Sequence, residues 1–399
     1  MRAALVTVAL LVGCDPLAGL TVVGDDPSDA PIAGLDASWM ERFVRGDAVF
    51  DTPYRESQGL GPLYIRQACS SCHAADARGP GVVRRMVLVD ADGAPLADQS
   101  GLAFGPVVRP QLAAGATVGI VPPEGVDVWV APRLPPAVFA RGYLEAIADS
   151  EIERVETAQA SEADGVSGRI HRVPWQSEAN PEPGGFHTLG PGSVGQIGRF
   201  GLKARIATLD EFAADAFQGD MGITSPLRPD ELPNPDAQTD DEQPGVDIDA
   251  ATVNVAGDYV RMLAIPARAA PPEGAPEAFA AMGCATCHVP SLRTRADYPI
   301  PQLRDVDAPV YTDLLLHDMG PELADATGDL DASASEWRTA PLVGMRHLSA
   351  YLHDGRAPTV EDAIRMHGGE GSEAAASVGR FAEAPPEQRQ LVLQFINGL

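Results

Sequence analysis

Two short stretches carry the residues of this chain that are best suited to chemistry. QACSSCH occupies residues 67–73 and GCATCH occupies residues 283–288, so each contains two cysteines at i and i+3 and then a histidine. A CxxC pair alone fits a zinc site, a thiol–disulfide couple or covalent attachment of haem. The residue that follows the pair must therefore decide between these chemistries.

The histidine directly after each pair favours haem. Two cysteines on one face of a helical turn can form thioethers to the two vinyl groups of one haem, and the next imidazole can then bind the iron. A zinc site would need two further Cys or His ligands close by, and a thioredoxin-type motif would not need the histidine. We therefore expect two covalently bound haem c groups. The predicted attachment residues are Cys69, Cys72, Cys284 and Cys287, and the predicted axial ligands that follow them are His73 and His288.

The fifth cysteine, Cys14, ends the apolar run MRAALVTVALLVGC, which is too short to span a bilayer as a mature helix. This pattern resembles a bacterial lipoprotein signal. It predicts a signal peptide over residues 1–13, lipid on Cys14 and a membrane-anchored periplasmic protein. The alternative is an ordinary secretory signal in which Cys14 has no role. If Cys14 carries lipid, no cysteine remains for a disulfide framework.

Composition limits the classes of partner. The chain has 399 residues, 45% of them apolar, which is enough for a large core and for two or three domains. Its net charge of −27 argues against nucleic acid as a partner. A cationic protein or a small neutral substrate suits this charge better.

The elements that must position the two motifs are predicted to be mostly helices. The ending PPEQRQLVLQFINGL has apolar residues on one helical face, and a helix leads into the second motif, as in a cytochrome c domain closed by its first and last helices. We expect a mainly α protein with two cytochrome c-like haem domains, the first enlarged by an insertion of loops and short strands. The predicted divisions are a tether over residues 14–35, an N-terminal haem domain over 36–267 and a C-terminal haem domain over 268–399.

Further motifs carry a resemblance to a known family. They are GRFGLKA, GDMGITS, YTDLLLHDMGPELAD, EWRTAPLVG and LHDGRAPTVEDAIRMHGGE. With both CxxCH motifs, residues 40–399 resemble the bacterial di-haem oxidoreductases, a distant branch of the di-haem cytochrome c peroxidases. The resemblance implies peroxide reduction at the N-terminal haem, with electrons entering through the C-terminal haem. Related peroxidases also often bind calcium between their domains, although no diagnostic calcium loop is present.

The resemblance implies roles for particular residues. A His-Asp-Gly segment is followed, fourteen residues after its His, by the distal ligand of the C-terminal haem. Here His353 leads to His367, with Met366 as the rival ligand and a structural histidine as the alternative. Asp220 takes the place of a carboxylate that moves a proton between the peroxide oxygens. An Asp in a turn or helix cap is the alternative.

Two positions depart from the family pattern, and others have open roles. Leu202 replaces a Trp that lies between the haems of relatives, and Phe212 stands where relatives have Gln near the peroxidatic haem. Lys203, the one lysine of the chain, fits either a haem propionate partner or a plain surface residue. Glu336 and Arg338 are expected to form a structural pair.

The group opposite His73 on the first haem stays open in the sequence. Peroxidase chemistry would need this position empty. His317 and His353 are expected near a haem edge, where they would tune rather than ligate. The candidate distal groups are His171, His187, Met86 and Met221.

The predicted function is that of an enzyme, a di-haem peroxidase-like oxidoreductase of the periplasm. Its electron donor would be a small cytochrome or a cupredoxin, and its oxidant peroxide or another small molecule. Two alternatives remain: a di-haem electron carrier without peroxide turnover, and an oxygenase acting on an apolar substrate.

Overall fold

The computed structural model describes residues 22–23, 30–76, 79, 81–113, 115–161, 165–187, 189–238 and 245–399. Helices make up most of the regular structure, and the short strands pair two by two. The predicted signal peptide and Cys14 lie outside the described residues. None of the helices in the described ranges is long and apolar enough to cross a bilayer.

The described residues form nine α-helices, among them the predicted C-terminal helix and the predicted helix that leads into the second motif. In chain order they are α1 (Ala37–Asp51), α2 (Arg141–Ala146), α3 (Asp149–Ala160), α4 (Leu209–Met221), α5 (Ala250–Met262), α6 (Ala275–Ala281), α7 (Val360–Met366), α8 (Ala375–Glu383) and α9 (Pro386–Gly398).

The strands form two-stranded sheets. They are β1 (Val22–Val23), β2 (Leu63–Tyr64), β3 (Val83–Leu88), β4 (Gln111–Leu112), β5 (Val128–Arg133), β6 (Arg172–Val173), β7 (Gln196–Ile197), β8 (Ile265–Pro266), β9 (Leu292–Arg293), β10 (Asp307–Ala308), β11 (Leu316–Asp318) and β12 (Glu336–Arg338). β1 runs parallel to β8, and the other pairs, β2–β4, β3–β5, β6–β7, β9–β10 and β11–β12, are antiparallel. The β3–β5 ribbon lies in the predicted insertion.

Short polar side chains fix where the helices begin. Asp36 caps α1, Thr208 caps α4, Asp249 caps α5 and Thr359 caps α7, each by accepting from a backbone N–H of the first turn. Gly222 ends α4 in the left-handed conformation that glycine adopts without a Cβ penalty. The sequence thus sets the ends of the helices that carry the site.

In the first half of the chain, α1 packs along α5, and α4 packs on α5 as well. The rings of Phe43 and Phe50 lie 5.0 and 5.1 Å from that of Tyr259. Gly46 permits this approach, because a Cβ there would lie 2.1 Å from the carbonyl oxygen of Val255. The two helices form a close pair beside the first CxxCH motif.

Near the second motif, α6 packs against α9, which confirms the predicted contact between the first and last helices of this region. The rings of Phe279 and Phe395 lie 5.3 Å apart, and both belong to a core formed by residues 275–399.

The packing differs from the predicted division of the chain. Apolar side chains between Leu292 and Leu315 belong to the same buried core as the helices of the first half. Ile32, placed in the tether by the sequence prediction, is also buried in that core, and its N–H donates to the carbonyl of Met262 at 2.8 Å. Hydrophobic burial therefore joins both halves across the predicted boundary at residue 268.

Candidate active site

The first CxxCH motif lies against a cavity of about 120 Å³. Cys69, Cys72 and His73 form one side of it. α1, α4 and α5 supply much of the remaining wall, including Phe50 and Asp220. The cavity thus brings the motif together with the acid that the sequence placed beside it.

His73 sits in an apolar setting. Its ring lies 6.2 Å from that of Phe50, and burial lowers its pKa to about 4, an effect that the carbonyl of Pro136 partly offsets. Its Nδ1 is buried and, within the described part of the chain, makes no hydrogen bond of normal geometry. His73 is therefore neutral at physiological pH, which is the form that binds iron.

Asp220 lies near the end of α4 and faces the first cavity. Burial raises the pKa of its carboxyl to about 7, the charge of Asp215 raises it further, and Arg205 opposes both. Its side chain makes no hydrogen bond to any other described residue. The alternative role as a turn or cap residue therefore has no support here, and the group can hold or release a proton near neutral pH.

The second CxxCH motif lies against a larger cavity of about 270 Å³. Cys284, Cys287 and His288 line it on one side. His367, at the C-terminal end of α7, lines it as well. The structure thus brings together the two histidines that the family resemblance assigned to one iron.

Both histidines use Nδ1 for a bond to the backbone. Nδ1 of His288 lies 3.1 Å from the carbonyl oxygen of Tyr311, and Nδ1 of His367 lies 2.6 Å from that of Ala363. Such bonds fix the ring and leave Nε2 available to a metal. Burial, and then the charge of His367, lower the pKa of His288 to about 4, and burial lowers the pKa of His367.

The four described cysteines form no disulfide, and their surroundings disfavour the thiolate. Burial raises the pKa of Cys69 to about 12 and those of Cys72 and Cys284 to about 11. A reactive redox thiol needs a lowered pKa, so thiol–disulfide chemistry does not fit these pairs.

The geometry also separates these pairs from zinc sites. Among the described residues, the single cluster of three ligand-type side chains is Cys287, Asp313 and His317, which uses one sulfur of one motif. A structural zinc site would take both cysteines of a pair with two further ligands. By contrast, each motif has a cavity beside its cysteines and a partly buried histidine whose pKa is lowered to about 4, so these residues fit haem.

His317 and His353, which were expected near a haem edge, both line the second cavity. Burial lowers the pKa of His317, but its bonds to Asp313 and Glu373, at 2.9 and 2.8 Å, raise it well above the usual value. These two bonds favour the protonated form of His317, which lies beside the sulfur of Cys287.

The candidate distal groups for the first site lie mostly elsewhere. Met86 is in the core of the β-strand insertion, His171 bonds to the carbonyl of Lys203, and His187 bonds to Asp210. Met221 alone among them lines the first cavity.

For Lys203 the structure excludes one of the two roles left open, and for Glu336 it contradicts the expected pair. Lys203 is not a surface lysine, because it is 0% exposed and donates to the carbonyls of Ser333, Ala334 and Glu336. Glu336 does not pair with Arg338. It pairs instead with Arg169. A β-bridge from Arg169 to Leu316 in β11 brings that arginine beside β12, which contains Glu336.

The departures from the family pattern also line the cavities. Leu202 borders the second cavity and Phe212 the first. Sequence reasoning missed Arg141 as a site residue and gave Arg338 only a structural role. Both border the two cavities, and only the fold brings them there.

Comparison with known proteins identifies the family of the chain. The family model described as "Di-haem oxidoreductase, putative peroxidase" matches residues 124–399, and the chain belongs to this family. The match includes the second CxxCH motif and Asp220, whereas the first motif precedes it. No curated protein matches the sequence. A structure of hydrazine synthase from Kuenenia stuttgartiensis, pressurised with xenon, is similar over the full length of both chains, at 12% identity and a TM-score of 0.36.

Proposed function

We propose that this protein is a c-type di-haem oxidoreductase that reduces peroxide at the first cavity with electrons that enter through the second. The observation that carries the proposal is that the two cavities are lined by different kinds of ionisable side chain. The second contains two histidines with lowered pKa values, His288 and His367, whereas the first contains His73 and the acid Asp220. One site is thus equipped to transfer electrons and the other to transfer protons.

Residues of both cavities would hold the two haem groups. When bound, haem supplies an iron that exchanges single electrons and reacts with peroxide. Thioethers would form at Cys69 and Cys72 in the first cavity, and at Cys284 and Cys287 in the second. Calcium is supported by family resemblance alone and is not part of the proposal.

Asp220 would act on the protons of peroxide. Its pKa of about 7 lets the carboxylate take the proton of one peroxide oxygen and return it to the other as the O–O bond breaks. Reduction of one hydrogen peroxide to two waters consumes two electrons and two protons. The donor supplies the electrons and solvent supplies the protons.

His288 and His367 would keep the second site closed to substrate. Their bonds to the carbonyls of Tyr311 and Ala363 hold both rings in the orientation that presents Nε2. Two imidazole ligands suit electron transfer because they leave no open position, and they favour a lower potential than a Met ligand.

The location and the partner belong to the same proposal. Lipid on Cys14 would hold the protein at the periplasmic membrane, where a small cytochrome or a cupredoxin would donate electrons. The net charge of −27 supports a donor with a cationic docking face.

The experiment is an EPR and optical study of the oxidised holoprotein, with peroxide turnover measured on the same sample. We expect one high-spin and one low-spin ferric haem. His367→Ala should alter only the low-spin signal, and the matched variant Met366→Leu should leave both signals unchanged.

Two low-spin haems in every redox state, without peroxide turnover, would exclude the peroxidase proposal and indicate an electron carrier. If Met366→Leu alters the low-spin signal and His367→Ala does not, the assignment of His367 is wrong.

A further inference from the structure

The two cavities share a wall. Four residues border both cavities: Pro136, Ala137, Arg141 and Arg338. Two of these four are arginines, in a chain with a strong excess of acidic residues. The wall between the candidate sites is thus positively charged.

Arg338, the last residue of β12, is 7% exposed. Its Nε donates to the carbonyl of Gly201 at 3.2 Å and its Nη1 to that of Thr339 at 2.9 Å. No carboxylate among the described residues lies within ion-pair distance of its guanidinium. Burial lowers its pKa to about 10, and the charge of Asp313 only partly opposes this effect.

Arg141, at the start of α2, adds a second charge to the wall. It is 8% exposed, and its Nε donates to the carbonyl of Ala137 at 2.8 Å. Its charge reaches the first site, because it contributes to the lowered pKa of His73.

Elsewhere the fold compensates a buried arginine fully. Arg261 contacts the carboxylates of Glu145, Asp210 and Asp258 at 2.6 to 3.0 Å. A buried charge is costly unless it is paired, so the unpaired Arg338 indicates an anion that the polypeptide does not provide. Haem carries two propionate carboxylates, which match the donor geometry of guanidinium.

We propose that Arg338 and Arg141 form a shared cationic bridge that binds propionates of the haems in both cavities and electrostatically couples the two redox centres. This inference rests on the proposed function only in that both cavities must hold haem. A positive charge near both irons stabilises both reduced forms, so its removal should lower both potentials.

The test is a spectroelectrochemical titration of the full-length holoprotein. Arg338→Gln should shift both haems towards the oxidised form by about tenfold in the oxidised-to-reduced ratio at fixed potential, or about 59 mV for each one-electron couple. Arg338→Lys keeps the positive charge, so both haem reduction potentials should stay close to the wild-type values. Arg66 is exposed and borders only the first cavity. Arg66→Gln should therefore change only the reduction potential of the haem in the first cavity.

Unchanged potentials in Arg338→Gln, or a shift confined to one haem, would overturn the inference. If that variant does not fold, Arg141→Gln must lower both potentials or the inference fails. Peroxide turnover is measured separately. A shift of both potentials in a protein without peroxide turnover would support the arginine bridge and refute the peroxidase function. Peroxide turnover without a shift in the variant would support the peroxidase function and refute the bridge.

Discussion

Lys203 places its ammonium nitrogen 3.7 Å from the centre of the Trp337 ring. His353 stacks on the same ring, with 4.0 Å between centroids and 13° between planes. At these distances the two groups must occupy opposite faces. The indole is therefore clamped beside the second cavity, which it helps to line.

The burial of Lys203 predicts a chemical footprint. This ε-amine, the only one in the chain, is 0% exposed, so an amine-reactive reagent should modify it at least about tenfold more slowly in the native protein than after unfolding. Mass spectrometry of the peptide that contains Lys203 measures this rate. Equal labelling in native and denatured protein would contradict the buried placement.

Asp220 predicts the pH dependence of peroxide turnover. Because burial raises its folded pKa to about 7, the carboxylate that accepts a proton accumulates as the pH rises, and kcat/KM should increase through pH 7. Asp220→Asn should lower kcat/KM by about 10²-fold and abolish that ionisation. Asp297→Asn, at a site that is 80% exposed, is the control. Retention of the ionisation in Asp220→Asn would assign it to another group.

The same pKa predicts an effect on stability. The folded protein binds more protons at Asp220 than the unfolded chain between pH 3.8 and about 7, so this group contributes less stability as the pH rises through that range. Asp220→Asn should therefore raise the free energy of unfolding at pH 8 relative to wild type. Denaturant unfolding at pH 5 and pH 8 checks the sign, and a variant that is less stable than wild type at pH 8 would contradict it.

Arg261 predicts a large loss of stability. Arg261→Met leaves Glu145, Asp210 and Asp258 buried around an apolar side chain, at a cost of about 3–5 kcal/mol. Arg154→Met removes a pair whose arginine is 58% exposed and should change stability by about 0.5 kcal/mol or less. Denaturant unfolding compares the two, and similar losses would show that burial does not decide the cost.

Gly81 predicts a defect in haem attachment. A Cβ at this position would lie 2.5 Å from Sγ of Cys72, so Gly81→Ala must displace the sulfur or the loop. Covalent haem per chain, measured by pyridine haemochrome, should fall from two towards one. Gly190→Ala, where a Cβ would meet nothing within 4 Å, should retain two. Full attachment in Gly81→Ala would mean that the loop moves without cost.

Local patterns predicted what depends on local physics. α9 and the helix before the second motif were predictable because helix periodicity depends on residues that are close in sequence. His367 was found through a spacing that the family resemblance supplied, and the structure places it beside His288 in one cavity.

Contacts between distant segments were not predictable in this way. The partner of Glu336 is Arg169, and the three carbonyls that hold Lys203 lie about 130 residues further along the chain. The shared wall was not predictable for the same reason, because Arg141 and Arg338 lie almost 200 residues apart with no common sequence signal.

The buried core shared by residues before and after position 268 means that the two parts of the chain cannot be separated without exposing it. Leu303 and Leu315 are fully buried among side chains from the first half. Cutting the chain at residue 268 would expose the apolar side chains of residues 292–315 on the C-terminal fragment. It would also leave the core of the N-terminal fragment incompletely packed. The C-terminal half is therefore not an independent folding unit, and a chimera that uses it must carry residues 292–315 together with the helices that cover them.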